Sequence, residues 1–107
     1  MAPQERNDTG GVGEVDRVIH EPARLKIVAL LYVVASADFA FIMQQTGMTW
    51  GNLSSHMSKL EAAGYIQVMK EFVNRKPHTM LRLTDIGRAA FREYRQKMKL
   101  VLDGLPD

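Results

Sequence analysis

The 107-residue chain suits one domain and not comfortably two. Having no cysteine, it offers no disulfide, thiolate metal site or cysteine nucleophile, and its longest apolar run, Ile27 to Ala35, is too short to span a bilayer. Net charge is only +2, but it is unevenly spread: residues 1–21 carry two basic and five acidic side chains, whereas residues 59–99 carry ten and four. The second half is therefore suited to a polyanion.

Residues 1–14 hold three of the eight glycines and show no periodicity, which predicts a flexible N-terminal tail. Met1 to Asp8 contains no apolar stretch of the secretory kind, so a soluble cytoplasmic protein is expected. Val15, Val18 and Ile19 are spaced for a short amphipathic turn. A first helix is expected from Pro22 to Val34, with Pro22 at the first helical position. Its apolar residues run nearly all round, which predicts a buried helix. After a break at Ala35-Ser36-Ala37, Asp38 is placed to cap a second helix reaching Thr46, and Gly47 permits a left-handed turn.

The third helix is the best marked. Thr49 stands at its N-cap, Met48 and Leu53 have the spacing of a hydrophobic staple, and Gly64 is the stop. Leu53, Met57 and Leu60 recur at helical spacing and form the core stripe. Two strand-like runs follow, Tyr65–Val73 and Thr79–Thr84. Between them, Asn74 to His78 reads as a basic loop of five residues. A last helix is expected from Thr84 or Asp85 to Leu102, with Ala90, Phe91, Tyr94, Met98 and Val101 on one apolar face.

The order is helix, helix, turn, helix, hairpin, helix: an α+β but mainly α architecture, a helix-turn-helix followed by a hairpin. The segments Arg24-Leu25-Lys26-Ile27, Thr49 to Tyr65 and Leu83-Thr84-Asp85-Ile86-Gly87-Arg88 resemble, in this order and spacing, the winged-helix regulators of the MarR-like and ArsR-like group. The resemblance covers roughly residues 18–102. It implies a winged helix-turn-helix fold with a three-helix core, a β-hairpin wing and a long C-terminal helix. It also implies sequence-specific binding of double-stranded DNA as a dimer, usually to repress transcription.

The third helix is compatible with that role on its own terms. With Leu53, Met57 and Leu60 inward, helical periodicity turns Gly51, Ser55, Ser58 and Ala62 outward, with Asn52, Ser54 and Lys59 on the flanks. So small and polar a face can enter a major groove about 12 Å wide. Asn52 suits adenine, the serines suit bases or phosphates, and Lys59 suits phosphate. Thr49 and Trp50 lie at the helix start, where the indole either meets the DNA or folds back onto Met48 or the domain surface, the latter favoured. The wing residues Asn74, Arg75, Lys76 and His78, with Lys70, complete the expected DNA-binding set. Arg75 is assigned to the minor groove, where narrow A·T-rich stretches concentrate negative potential. The plainer account of both elements is a solvated helix face and a charged turn. His56 is expected to make a structural hydrogen bond, to the wing or to a phosphate.

On the last helix, Arg88, Arg92, Arg95 and Lys99 form a basic stripe read as mainly solvated. Val18, Ile19, Met98, Val101, Leu102 and Leu105 are the expected dimer interface, because the distal turns have little of their own chain to pack on. No phosphate loop, nucleophile elbow or paired carboxylate supports an enzyme. His20, His56 and His78 have no ligand spacing, so neither metal nor cofactor is expected. An added small-molecule effector is compatible with this reading. The rival is a winged helix used for protein–protein contact, a use to which a basic wing is poorly suited.

Overall fold

The computed structural model describes residues 14–106, so the expected tail lies almost entirely outside the described residues. The elements are α1 (Pro22–Val34), β1 (Ser36–Asp38), α2 (Phe39–Thr46), α3 (Trp50–Ala62), β2 (Ile66–Val73), β3 (Lys76–Leu83) and α4 (Asp85–Asp103). No described helix is long and apolar enough to cross a membrane.

Each helix starts where a side-chain oxygen satisfies otherwise unpaired backbone donors. Glu21 accepts from the Ala23 and Arg24 amides at 2.7 and 2.9 Å. Asp38 accepts from Phe41 at 2.7 Å, Thr49 from Asn52 at 3.2 Å and Thr84 from Gly87 at 3.0 Å. Gly47 closes α2 in the left-handed region at φ 73°, which a residue without Cβ adopts at little cost.

α1, α2 and α3 enclose one core with the sheet and α4. Ile19, Ile27, Val28, Leu31, Ile42, Leu53, Leu60 and Leu81 are fully buried. Met43, Met57 and Met98 pack against its edge. α1 is less enclosed than its composition predicts: Val33, its next-to-last residue, is 81% exposed.

Two findings revise the expected strands. The break at Ala35-Ser36-Ala37 contains β1, which pairs with β3 from Ser36↔Arg82 to Asp38↔Met80 and makes a sheet of order β1-β3-β2. Ala35, at φ 72°, turns the chain from α1 into this strand, and its carbonyl accepts from the Leu83 amide at 3.2 Å.

The expected five-residue loop is instead a two-residue turn. β2 and β3 pair from Ile66↔Leu83 to Val73↔Lys76, leaving only Asn74 and Arg75, at φ 52° and 66°. Positive φ at both central residues is the type I′ geometry, whose twist matches that of paired strands. Pro77 is thus a strand residue. In such a hairpin the closing pair exchanges hydrogen bonds, so the next pair, Phe72↔Pro77, does not. The amide that proline lacks would point away from β2, where β1 does not reach.

Candidate nucleic-acid interface

Gly47 lets the chain reverse between α2 and α3. Its amide donates to the Met43 carbonyl at 2.8 Å. Met48 packs on the core edge and Leu53 is fully buried, so the α3 start is held from below. The opposite side carries Gly51, Asn52, Ser55, Ser58, Lys59 and Ala62, all exposed, with Ser54 half-buried. Thr49 is exposed as well, but its hydroxyl is engaged as the cap. This face holds one cation, and its outermost positions, Gly51, Ser55, Ser58 and Ala62, have short side chains or none.

Trp50 is 68% exposed, and its ring centroid lies 5.9 Å from that of Phe39 at 50°. It therefore leans on the first residue of α2, not on Met48, and leaves most of the indole in solvent. His56 is half-buried and engaged by the start of α1, not by the wing. Arg24 donates to its Nδ1 at 3.2 Å, and the Glu21 carboxylate is 3.9 Å away. Because Arg24 also donates to the Val18 carbonyl at 2.6 Å, these residues tie α3 to the entry of α1. The Arg24 amide, with smaller help from Ala23, His56 and the Arg24 charge and against some desolvation, holds the Glu21 carboxyl below its ordinary value.

The wing projects Lys70, Asn74, Arg75 and Lys76 into solvent. Among the described residues no carboxylate lies within 4.0 Å of the three cations. His78 faces the body instead, half-buried and 4.0 Å from the Asp38 carboxylate. The wing and α3 flank a single groove of about 500 Å³, lined by Trp50, Ser54 and Met57 on one side and Lys70, Pro77 and Thr79 on the other.

The other expected surface is partly revised. Val18 and Met98 are half-buried, and Leu102 and Leu105 are exposed by 61% and 62%, with Val101 at 37%. Ile19, by contrast, has no exposed area: it belongs to the core of its own chain and has no surface for a partner. The basic stripe is also less free than it reads in sequence. Arg88 and Arg95 lie over the Tyr32 ring at 4.9 and 5.9 Å. A hydrogen bond from Arg92 lowers the Tyr32 phenol pKa.

Sequence reasoning passed over Phe72, which is 77% exposed near the wing tip. Its apolar character fitted a strand, and only the reach of the hairpin beyond the body leaves it uncovered.

The motif Leu83-Thr84-Asp85-Ile86-Gly87-Arg88 has a structural account. Thr84 Oγ1 accepts from Gly87 and donates to the Gly64 carbonyl at 2.6 Å, joining α4 to the end of α3. A Cβ on Gly87 would fall 2.2 Å from the Tyr65 carbonyl oxygen.

Relatives agree with this geometry. An uncharacterized protein of Methanocaldococcus jannaschii is 32% identical over 78 residues, 73% of this chain and 85% of its own length. The structure of a transcriptional regulator homologue from Pyrococcus horikoshii superposes with a TM-score of 0.82 at 32% identity, over 86% of this chain and 91% of that one. The MarR-like NadR, solved with 4-hydroxyphenylacetate, shares the fold with a TM-score of 0.68 at 22% identity, over 81% of this chain and 61% of its own. The family described as winged helix DNA-binding domain matches residues 23–102. With its helix-turn-helix, hairpin wing and α4 in the expected order, the chain belongs to that family and is a DNA-binding regulator by fold and kinship.

Proposed function

We propose that the protein is a cytoplasmic, sequence-specific regulator that binds double-stranded DNA as a homodimer and represses transcription. In this reading α3 lies in the major groove, where Asn52, Ser54, Ser55 and Ser58 face base edges, and the wing tip lies on the minor groove and backbone. The observation that carries it is the pairing of a small polar helix face with an unneutralised basic hairpin across one groove. Small side chains allow close approach, and the wing supplies the charge that α3 lacks. Repression fits because a protein seated at a promoter excludes others by volume alone.

Dimerisation is assigned to the end of α4, where Leu100, Val101 and Leu102 lie exposed on the last turn and Leu105 just beyond it. Val18, half-buried at the chain's entry, is the proposed second contact. A small-molecule effector is part of the proposal, by analogy with NadR and its bound 4-hydroxyphenylacetate. The domain is proposed to act by binding and not by catalysis.

The test is selection from a randomised duplex pool at near-physiological salt, followed by anisotropy titration of the winners. Enrichment of a two-fold-symmetric motif with half-sites about one helical turn apart supports the reading. Absence of enrichment, with only weak salt-sensitive binding, favours a protein-contact module. Replacing Arg75 and Lys76 together with alanine is expected to weaken binding broadly and to flatten the slope of log affinity against log salt by at least about 0.9, the share of the one phosphate assigned to Lys76.

A further inference from the structure

The groove between α3 and the wing is more apolar than a phosphate cradle requires. Phe39, Met43, Trp50, Met57 and Pro77 line it, Lys70 is its one fixed cation, and the Asp38 carboxylate, 4.0 Å from His78, is its one acidic group. By register, Lys70 pairs with Thr79 and Phe72 with Pro77. Alternation along a strand therefore puts Phe72 on the same sheet face as Lys70, the face that borders the groove. Two large aromatic side chains thus stand exposed, Trp50 by 68% in the groove lining and Phe72 by 77% on the wing, one same-face pair beyond the lining residues Lys70 and Thr79. Neither exposure is needed by the fold, whose core closes without them.

We propose that this groove seats the deoxyribose edges of the single DNA strand that separates the major groove from the minor groove, with Trp50 and Phe72 as its apolar contacts and Lys70 as its phosphate contact. The inference rests on the proposed placement of α3 and the wing. If one element is in each groove of a duplex, the strand dividing the grooves must cross the space between them. That strand alternates phosphates with sugars whose C–H faces are apolar. A wall of aromatic rings, methionine and proline with one lysine, its only carboxylate set against His78, matches the alternation; a wholly basic wall would match phosphates alone. Depth decides what Phe72 touches. It sits about two strand residues, roughly 7 Å, behind the tip, while the minor groove is about 7.5 Å deep. With the tip near the groove floor, Phe72 reaches the sugars of the groove wall and not the base stack.

Affinity from apolar packing does not depend on counterion release, so its loss lowers binding without changing the salt slope. The chain has one tryptophan, so its emission reports on this groove alone. The experiment titrates the full chain with a labelled random-sequence duplex at low salt, following label anisotropy and Trp50 emission together. At saturation Trp50 emission is expected to move to shorter wavelength as the indole leaves water. Phe72→Ala is expected to weaken binding about tenfold with an unchanged slope, and Lys70→Gln to lower the slope by about 0.9. Trp50 emission that stays unmoved at saturation, or wild-type affinity in Phe72→Ala, overturns the groove assignment while leaving DNA binding in place. A wild-type chain that leaves the duplex unbound overturns the DNA placement and this inference with it. The emission arm uses the unsubstituted protein, so it stands whatever the variants do.

Discussion

α3 and α4 are both helices with one buried face, yet their outward faces differ in kind. α3 presents Gly51, Ser55, Ser58 and Ala62, with Lys59 at the edge. α4 presents Arg92, Arg95 and Lys99, large and cationic. Charge alone would choose α4 as the DNA helix. The structure engages that charge locally, with Arg88, Arg92 and Arg95 gathered around Tyr32 and Lys99 paired with Asp103 at 2.7 Å. At 19 residues, roughly 28 Å, α4 also carries its last apolar side chains beyond the core. A helix that enters a groove needs slimness more than charge, and here the wing provides the charge. One helix is shaped for a groove, the other for anchoring at one end and partnering at the other.

The comparison breaks most sharply at the anchored end. Gly87→Ala forces a Cβ onto the Tyr65 carbonyl, which is itself held by the Thr84 amide at 3.0 Å. Neither backbone can give way cheaply, so a loss of about 3 kcal/mol is expected in chemical denaturation. The same substitution at Gly51 on α3, whose Cβ would meet nothing within 4 Å, is expected to leave stability within a few tenths of a kcal/mol or raise it.

At the free end of α4, Leu102→Asp puts a charge into the proposed dimer contact. Sedimentation is expected to show a monomer, with affinity for a palindromic duplex lowered about a hundredfold, because the two half-sites are then bound separately. Unchanged mass and affinity would remove the end of α4 from the interface.

On α3, Asn52→Ala touches an exposed side chain, though the residue's amide remains capped by Thr49. It is expected to cost about 1–3 kcal/mol of discrimination at one base pair while leaving random-duplex affinity alone. Equal losses on both duplexes would reassign Asn52 to the backbone.

The smallest effect concerns the entry of α1. Glu21 has its pKa lowered by the amides it caps. A depressed carboxyl stabilises the fold above its unfolded pKa, and that contribution is lost as pH falls through the folded value. Glu21→Ala is expected to cost about 1 kcal/mol at neutral pH. The difference from wild type should narrow in acid melts, below the ordinary carboxylate range.

Much of this was legible in the sequence because it is local. The starts of the four helices and the ends of α2 and α3 follow from Pro22, Asp38, Thr49, Thr84, Gly47 and Gly64, whose effects act within one turn of chain. The outward face of α3 follows from the spacing of its leucines. Three features were not legible. β1 has weak strand formers, Ser36-Ala37-Asp38, and exists because β3 offers it an edge. The tight turn lacks the glycine that marks a type I′ hairpin, while Lys76, Pro77 and His78 imitate a loop; pairing across eight positions outweighs both signals. Ile19 looked like a surface contact because nothing near it in sequence covers it, although residues distant in the chain do.

By itself, then, the sequence determined the order and type of the main elements, the caps, the slim face of α3 and the basic character of the wing, since each depends on residues a few positions apart. Only the tertiary structure decided how far the hairpin extends, which cations remain free, that Ile19 is interior, and that Trp50 and Phe72 stay exposed. Those properties depend on which distant segments meet, and periodicity within one element carries no record of its neighbours.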